Sequence, residues 1–420
     1  MANYNSGERL ISGILSSSPK LKKCIKKIYQ HFNYILYKKK YNFKSDCDLF
    51  ELDYEGNESF FGYYDKSPVN NSNRFLVFHS TDNSSHLKPG NNPIHVILFD
   101  LKENKVIKKF ITNAYNWQQG SKLQWIDTTG FIFNDFSAAE QKYVSRIYNV
   151  EESSEKIINF PIYDTFKDNA LSLNFNRLNL LRPDYGYRNL EYTIDFSKND
   201  NDGIYLINLQ SNSSKLLISI EDVIKLHYKD SMKDAKHWFN HIMISPKGKR
   251  FMFLHRWLDK GRKHDALVVA DFNGKNVSVL ADDDMVSHCC WNGDNEIISY
   301  MRDIKYGDGY YFINVISRNR RKLDDRYINS LGDGHPSIHG NVMLLDTYPN
   351  KSRMKELFLF DLESNNLTKL GEFHESMKFY GETRCDLHPR FSNCGKYVFF
   401  DSVHSSRRKL YRITIDKDFK

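Results

Sequence analysis

The sequence of 420 residues has only six cysteines and ten prolines, and no apolar run long enough to span a membrane as a helix. The cysteines include the adjacent pair Cys289 and Cys290 and show no spacing typical of a zinc site. We therefore expect reduced thiols in a reducing compartment. The N-terminal residues lack the apolar run and cleavage motif of a secretory signal, so the predicted location is the cytoplasm.

Motifs for nucleotide chemistry are also missing. No glycine-rich phosphate loop follows a predicted strand and no Asp-x-Asp motif stands out, so a glycosyltransferase ranks third, behind the two hypotheses stated below. The net charge of +8 is compatible with an anionic glycan, an anionic lipid or a nucleic acid as partner. Nucleic acid is disfavoured, because the lysines concentrate near the N-terminus rather than along the rest of the chain.

Residues 8–41 differ from the rest of the chain in their many lysines. Apolar residues recur there at helical spacing, which predicts a basic amphipathic helix within an N-terminal segment of residues 1–47. The helix either lies on an anionic membrane surface, such as the inner face of a bacterial membrane, or packs on the protein with its lysines in solvent. The apolar residues are Leu21, Ile25, Ile28, Phe32, Ile35 and Leu36, and the lysines are Lys20, Lys22, Lys23, Lys26, Lys27, Lys38, Lys39 and Lys40.

Residues 48–420 repeat one pattern of strands and turns. In the clearest copy, residues 384–402, a polar cluster precedes a short strand, a turn with Asn393 and Gly395, and a second strand that reaches Asp401. Other copies begin near residues 63, 117, 237, 287 and 335, and each continues into a third strand such as Leu357–Leu362. Four strands per unit, repeated about every 40–60 residues, predict a β-propeller.

The predicted fold is therefore all-β: a seven-bladed β-propeller over residues 48–420 with a short basic N-terminal helix. The strand Leu49–Tyr54 has no hairpin of its own, and we expect it to complete the last blade and close the ring. Residues 161–220 are the least regular copy, in which a polar and aromatic insertion interrupts the third blade.

Polar residues recur where each copy enters its innermost strand and where it leaves its second strand. In a propeller both points lie at one end of the central channel, so they gather side chains that are distant in sequence. A repeat alone does not need different polar residues at equivalent points, which favours a ligand site over a channel that is polar only for solvation. The candidate substrate-binding residues are Lys66, Gln118, Gln119, Arg177, Arg182, Asn240, Arg256, Arg384 and Arg390, and the histidines are His241, His288, His335, His339 and His388.

The histidines can supply imidazole ligands to a divalent metal, with Gln118 or Asp386 as oxygen donors. His335 and His339 would be about 13 Å apart on an extended strand. They could therefore bind one metal together only if the chain bends at Pro336. A hydrogen-bonded histidine in a polar channel is the alternative for any one of these residues.

The other residue types suit an acidic sugar. Arginines and Lys66 bind carboxylates, and histidine with tyrosine can supply the base and acid that β-elimination of a uronic acid requires. The candidate catalytic residues are His241, His388, Tyr64 and Tyr187.

The chain resembles the propellers of oligogalacturonate lyases and ulvan lyases, whose repeats are TolB-like. The resemblance rests on the hairpin His388–Ser392 through Asp401, on the histidines where the blades begin, and on the spread of tyrosine and arginine. The first resemblance implies divalent manganese held by three histidines and a glutamine, and the cofactor expected here is a divalent metal, manganese or calcium. Candidates here are His288, His335, His339 and His388, with no glutamine near His335. The ulvan lyases use a His/Tyr pair without a catalytic metal.

The motifs Phe61–Pro68, Trp117–Gly120 and Arg384–Arg390 look closer to uncharacterised propellers found with bacterial surface-polysaccharide biosynthesis proteins. Two hypotheses follow. The first is an enzyme that acts on an anionic, uronic-acid-containing polysaccharide by lyase-type β-elimination. The alternative is a propeller that binds a glycan or scaffolds an assembly without catalysis in capsule or O-antigen biosynthesis, with an anionic or lipid-linked glycan as its partner.

Overall fold

The structure is a computed structural model that describes residues 19–41, 45, 47–90 and 92–415. In these residues, seven antiparallel sheets of four strands each form the blades of a propeller. Blade 1 contains β2 (Glu58–Phe60), β3 (Phe75–Thr81), β4 (Ile94–Asp100) and β5 (Lys105–Thr112); blade 2 contains β6 (Gln124–Trp125), β7 (Gly130–Ser137), β8 (Lys142–Asn149) and β9 (Ser154–Ile158); blade 3 contains β10 (Asp164–Phe166), β11 (Asn169–Leu173), β12 (Gly203–Asn208) and β13 (Ser213–Ser219).

The second half of the ring repeats this order. Blade 4 contains β14 (Lys236–Ile244), β15 (Arg250–Asp259), β16 (Arg262–Asp271) and β17 (Ser278–Ala281); blade 5 contains β18 (Val286–Asn292), β19 (Glu296–Asp303), β20 (Gly307–Asn314) and β21 (Arg320–Lys322); blade 6 contains β22 (Ser337–His339), β23 (Val342–Asp346), β24 (Met354–Asp361) and β25 (Leu367–His374); blade 7 contains β26 (Arg390–Phe391), β27 (Tyr397–Ser402), β28 (Lys409–Thr414) and β1 (Leu49–Leu52). The predicted seven-bladed all-β fold is confirmed.

The ring is closed by pairing of the first and the last strand of the propeller. Strand β1 pairs antiparallel with β28, with Leu49 opposite Ile413 and Leu52 opposite Leu410. The predicted closure is therefore confirmed, and it ties the first strand of the propeller to its last blade.

The turn between β26 and β27 follows from its sequence. Gly395 has a φ of +69°, a left-handed conformation that glycine adopts without steric cost. In β27 the consecutive residues Val398, Phe399 and Phe400 are buried, which shows that this strand is covered on both faces.

The third blade carries the irregular insertion that the sequence indicates. Between β11 and β12 the chain forms α2 (Phe175–Leu181). The side chain of Asn174 accepts hydrogen bonds from the backbone N–H groups of Asn176 and Arg177 in the first turn of this helix. Two more short helices connect later blades, α3 (Ile220–Leu226) after β13 and α4 (Arg326–Leu331) before β22. Single 3-10 turns occur at Asp230–Met232 and Gly381–Thr383.

The N-terminal helix is α1 (Pro19–Tyr37), as predicted for this part of the basic segment. Residues 8–18 lie outside the described residues, as do the side chains of Leu21 and of the lysines Lys20, Lys22, Lys23 and Lys26. Among the described helices, none is both long and apolar enough to cross a membrane. The boundary between segments 1–47 and 48–420 stays a prediction.

The central channel has two distinct ends. At the upper end the chain enters each innermost strand and leaves each second strand. At the lower end lie the turns between these two strands, such as those at Asp127 and Asn393. Because the strands are antiparallel, a residue before an innermost strand and a residue in its turn lie at opposite ends of the channel.

Candidate active site

Four histidines meet at the upper end, one from each of blades 4 to 7. His241 lies in β14 and His288 in β18, while His335 and His388 each precede an innermost strand by two residues. The ring centroids are 6.0 Å apart for His241 and His288, 4.0 Å for His288 and His335, and 4.4 Å for His335 and His388. The repeat thus places four imidazoles side by side, as its equivalent positions predict.

Local backbone irregularities aim these rings into the channel. The pairing of β14 shifts register between Asn240 and Met243, on either side of His241, and that of β18 shifts around His288. Such bulges redirect side chains near functional sites. His241 and His388 also have φ angles of +54° and +45°, a left-handed conformation that is uncommon for residues other than glycine.

Two of the imidazoles present an unpartnered ring nitrogen. His335 Nδ1 donates to the carboxylate of Asp346 at 2.9 Å, and His388 Nδ1 donates to the carbonyl oxygen of Gly62 at 2.8 Å. The Nε2 atoms of both rings are buried and lack a hydrogen-bond partner. Asp346 also accepts the backbone N–H groups of both residues, so one carboxylate orients both histidines.

Asp386 completes this group. Its Oδ2 accepts from Arg384 Nε at 2.7 Å, whereas its Oδ1 is buried without a partner. One ligand atom from each of His335, Asp386 and His388 lies within 4.8 Å of the others. These unpartnered atoms fit a divalent cation, and the hydrogen bond from His335 to Asp346 is the outer contact that orients metal-binding histidines.

The pKa values differ within this group. Burial alone lowers the pKa of His335, but the charge and hydrogen bond of Asp346, with Asp386 and Asp333, outweigh it and raise that pKa above its usual value. Burial, followed by the charges of His335 and Arg390, holds the pKa of His388 well below its usual value. His388 is therefore neutral near pH 7, while a metal that bound His335 would have to displace a proton.

The two other candidate metal ligands are placed differently. His288 contacts His335, and its Nδ1 donates to Asp333 at 3.0 Å. His339 lies at the lower end, where its exposed side chain covers Gly395; a Cβ built on that glycine would come within 2.3 Å of the ring. The chain does not bend enough at Pro336 to bring the two imidazoles together, because His335 precedes β22 (Ser337–His339) at the upper end and His339 ends that strand at the lower end.

His241 forms a pair with Tyr63. The Tyr63 hydroxyl lies 2.8 Å from His241 Nδ1, and the two rings are parallel with centroids 5.1 Å apart. The amide nitrogen of Asn240 lies 3.3 Å from Nε2 and can donate to it. Burial, followed by the charges of Arg256 and His288, holds the pKa of His241 well below its usual value, so the imidazole is neutral.

The tyrosines predicted as catalytic do not face open space. The Tyr64 hydroxyl donates to the Cys289 carbonyl oxygen at 2.9 Å and accepts from the Cys289 N–H at 3.1 Å. The Tyr187 ring is buried and stacks on Phe175, and its hydroxyl accepts from the amide of Asn134. Tyr64 thus links blade 1 to blade 5, and Tyr187 belongs to the core.

A cavity of about 1040 Å³ opens beside the histidines over blades 4 to 6. His241 and His288 form part of its wall, and Tyr185 and Tyr348 reach it from the insertion and from blade 6. Its cationic side chains are Arg182, Arg256, Lys263, Arg302 and Arg384. Of the candidate substrate-binding residues, Arg182, Arg256 and Arg384 therefore lie at the cavity, as the sequence predicts.

Carboxylates hold these arginines in place. Arg384 bonds to Asp386 at 2.7 Å and to Asp184 at 2.9 Å, and it donates to the Tyr185 hydroxyl at 3.1 Å. Arg182 also pairs with Asp184 at 3.1 Å. The charges of Arg182 and Arg384 overcome the effect of burial and lower the pKa of Asp184, so this carboxylate stays ionised and keeps both arginines over the cavity.

Arg177 and Arg390 are buried away from the cavity. Arg177 bonds to Asp202 at 2.6 Å and to the His237 carbonyl oxygen at 2.9 Å. Arg390 bonds to Asp401 at 3.1 Å and donates to the His388 carbonyl oxygen at 2.8 Å. These contacts fix the backbone around the site rather than reaching a ligand.

Gln118, Gln119 and Asn240 are also buried and hold neighbouring groups. The amide nitrogen of Gln118 donates to the Arg384 carbonyl oxygen at 2.8 Å, and that of Gln119 donates to the Tyr163 hydroxyl. The Asn240 oxygen in turn accepts from Tyr163. They support the site from within the channel.

Lys66 lies at the other end of the channel. It forms a 2.5 Å ion pair with Asp164, and it lines a smaller cavity of about 190 Å³ together with Asp127 and Asn393 in the lower turns. The sequence motif places Lys66 just after Tyr63 and Tyr64, but the chain descends through the channel over these few residues. Lys66 therefore does not join the arginines.

Sequence reasoning missed Lys263, which lies on β16 at the cavity and contacts both oxygens of Asp265 at 2.8 and 2.7 Å. Asp265 is opposite Arg256 in the sheet and pairs with it at 2.9 Å. The start of a third strand lies beside the end of a second strand, so its polar residues reach the upper end as well. Including third-strand starts in the repeat alignment would have found Lys263.

Lys263 is expected to react with acylating reagents at a lower pH than an unperturbed lysine. Burial, and then the charge of Arg256, lowers its pKa to about 8 although Asp265 opposes this shift. Its acetylation by a succinimidyl ester, followed by mass spectrometry, should have a midpoint near pH 8. A short unstructured lysine peptide is the control, and its side chain should react with a midpoint near about 10.4. Identical pH profiles for Lys263 and the peptide would contradict the low pKa.

No protein-family model matches this sequence, and no curated protein does. Solved structures with a similar fold include an oligogalacturonate lyase in complex with manganese, 13% identical, with a TM-score of 0.56 over 91% of this chain and 98% of that one. The oligogalacturonate lyase of Vibrio parahaemolyticus is 12% identical, with a TM-score of 0.59 over 90% of this chain and 98% of that one. At this identity the likeness shows the fold: the chain is a seven-bladed β-propeller with the architecture seen in oligogalacturonate lyases.

Proposed function

We propose that the upper end of the channel binds an acidic glycan containing uronic acid and cleaves it by β-elimination. The observation that carries this proposal is the group of three unpartnered ligand atoms on His335, Asp386 and His388, next to a large cavity with several arginines. The fold shared with enzymes named oligogalacturonate lyases agrees with it. The substrate class rests on chemistry: carboxylates are what arginines and a divalent cation bind together.

His335, His388 and Asp386 would hold the divalent cation. Two imidazole nitrogens and one carboxylate suit a transition metal such as manganese, whereas calcium takes six to eight oxygen ligands. When bound, the cation supplies positive charge that neutralises a sugar carboxylate and makes the neighbouring C5 proton more acidic. Arg384 already bonds to Asp386, so it lies where it can bind the sugar carboxylate together with the cation.

His241 is the base of this proposal. Its pKa is low, so the neutral imidazole can accept the C5 proton near pH 7. Its Nδ1 is bonded to Tyr63, and the donor on Asn240 near Nε2 favours the tautomer with its lone pair on Nε2. The substrate C5–H would displace the Asn240 N–H from this lone pair before the proton is transferred. As the proton leaves C5, the C4–O4 bond breaks and a double bond forms between C4 and C5.

Tyr185 is the acid. It lines the cavity, and Arg384 donates to its hydroxyl oxygen at 3.1 Å, which stabilises the phenolate left after the proton passes to the departing O4. Tyr185 takes the place of Tyr64 and Tyr187 in this assignment, because their hydroxyls are engaged inside the protein.

A second candidate is glycan binding without turnover. It is favoured by the ion pairs of the cavity arginines, since Arg384 and Arg182 are already neutralised by Asp184 and Asp386. In a site of this kind, the arginines exchange their carboxylate partners for hydroxyl groups and carboxylates of the glycan. Because the arginines are neutralised, the cavity has no strong positive potential.

The test is ultraviolet absorbance of the unsaturated product, with the full chain and a panel of uronic-acid oligosaccharides in the presence of manganese or calcium. We expect product from at least one oligosaccharide. His241→Asn and Tyr185→Phe should each reduce its rate about 100-fold or more. Asparagine is chosen at residue 241 because it tolerates a left-handed backbone.

His339→Ala is the matched control and should keep the wild-type rate, because His339 lies at the lower end. Unchanged rates for His241→Asn or Tyr185→Phe would refute the assigned roles. Glycan binding by calorimetry without any product across the panel would favour the second candidate.

A further inference from the structure

The helix α1 packs on blade 6 through polar and aromatic side chains. Asn33 is buried, and the Tyr34 ring stacks on His374 with centroids 6.0 Å apart. After the helix, Tyr41 donates to the Glu372 carbonyl oxygen at 2.9 Å. The side of α1 that faces the propeller is therefore its polar side.

The apolar side of the same helix faces away from the propeller. Ile28, Phe32, Ile35 and Leu36 are spaced by three or four residues, so they form one stripe along α1. Each of these side chains is between 57% and 64% exposed. Amphipathic helices of globular proteins place the apolar stripe on the core, and α1 has the reverse orientation. The helix therefore packs on the propeller with its described lysines in solvent, as the alternative expects, but it packs through its polar side and leaves the apolar stripe exposed.

Lysines flank this stripe. Lys27 lies beside Ile28, and Lys38, Lys39 and Lys40 follow the end of the helix; all four are exposed. The Tyr37 ring, 51% exposed, also lies at this end. Large apolar side chains with adjacent lysines and an aromatic ring are the chemistry of helices that lie in the surface of an anionic bilayer.

We infer that α1 docks the propeller on an anionic lipid surface, with Ile28, Phe32, Ile35 and Leu36 inserted among the lipids and the lysines on the headgroups. Charge complementarity selects this occupant over a second copy of the chain, because two such helices would bring their lysines together. This inference is independent of the channel chemistry, since α1 lies on the outer part of blade 6.

The experiment is sedimentation of the full chain with vesicles of phosphatidylcholine alone, or of an equal mixture of phosphatidylcholine and phosphatidylglycerol. We expect binding to the mixture, weakened by salt, and much less binding to phosphatidylcholine. A variant with Ile28→Ser, Phe32→Ser and Ile35→Ser should bind the mixture about tenfold less or weaker still. A variant with Lys38→Gln, Lys39→Gln and Lys40→Gln should lose the preference for anionic lipid.

The matched controls change exposed residues of the same types elsewhere. The apolar control carries Ile107→Ser, Ile304→Ser and Ile316→Ser, and the charge control carries Lys102→Gln, Lys105→Gln and Lys215→Gln. Both should bind vesicles as the wild type does, and all variants should keep the wild-type unfolding midpoint because the changed side chains are exposed.

Three results would overturn the inference. The wild type does not bind the mixed vesicles, or the stripe variant binds them as well as the wild type does, or the controls lose binding to the same extent. Light scattering tests the other possible occupant, a second copy of the chain. A wild type that is dimeric and does not bind lipid, with a stripe variant that is monomeric, would assign the face to a second copy.

Discussion

His335→Ala is expected to lower manganese affinity at least about 100-fold, with a matching loss of β-elimination. The imidazole Nε2 of His335 is one of three unpartnered ligand atoms, and its Nδ1 is already fixed by Asp346. Alanine removes the ligand and leaves Asp386 and His388 in place. Isothermal titration with manganese gives the affinity, and ultraviolet absorbance gives the rate.

His339→Ala is the matched control, since it removes an imidazole four residues away at the other end of the channel. Its manganese affinity should equal that of the wild type. His388→Asn should behave as His335→Ala does, with asparagine chosen because residue 388 has a φ of +45°. Equal affinities for the His335 and His339 variants would contradict the metal assignment.

Arg390→Leu is expected to destabilise the propeller by about 3–5 kcal/mol. Arg390 is 1% exposed and pairs with Asp401, which also accepts the N–H groups of Phe61 and Gly62. Leucine fills most of the space but leaves the Asp401 carboxylate buried without its cation. Urea unfolding followed by tryptophan fluorescence measures the loss.

The control is Arg262→Leu. Arg262 pairs with Asp284 but its side chain is 68% exposed, so breaking this pair should change the unfolding midpoint far less. A similar small change for Arg390→Leu would show that the buried pair contributes little. Because Arg390 also donates to the His388 carbonyl oxygen, the Arg390 variant should bind manganese less tightly even below its unfolding transition.

The fold was accessible from the sequence because the blades repeat strand, turn and strand, with continuous apolar runs in buried strands and glycine at several turns. Gly395 and the buried run Val398–Phe400 illustrate both signals. The position of His335 and His388 was also accessible, because equivalent points of successive blades meet at the channel. The same reasoning gave Arg182, Arg256 and Arg384 their place at the cavity.

The sequence could not separate residues that face the cavity from residues that hold the backbone. Arg177 and Arg390 share the residue type and repeat position of the cavity arginines, yet each is engaged by a buried carboxylate. The predicted positions of Lys66 and His339 differ from the structure for another reason. A few residues of chain are enough to move a side chain from one end of the channel to the other. Such differences depend on the path of the backbone rather than on residue type.

The orientation of α1 was not decided by periodicity either. The apolar spacing predicts a helix and a stripe, but the stripe is the same whether it faces the propeller or solvent. Tyr34 and Tyr41, which bind His374 and Glu372, decide that the polar side packs inward.

The most direct test of the metal-assisted channel site is anomalous diffraction from crystals of the full chain grown with manganese. We expect one strong manganese peak at the upper end of the channel, within bonding distance of His335 Nε2, His388 Nε2 and an Asp386 carboxylate oxygen. A peak bound elsewhere, or no peak at saturating manganese, would contradict the assignment of these three residues.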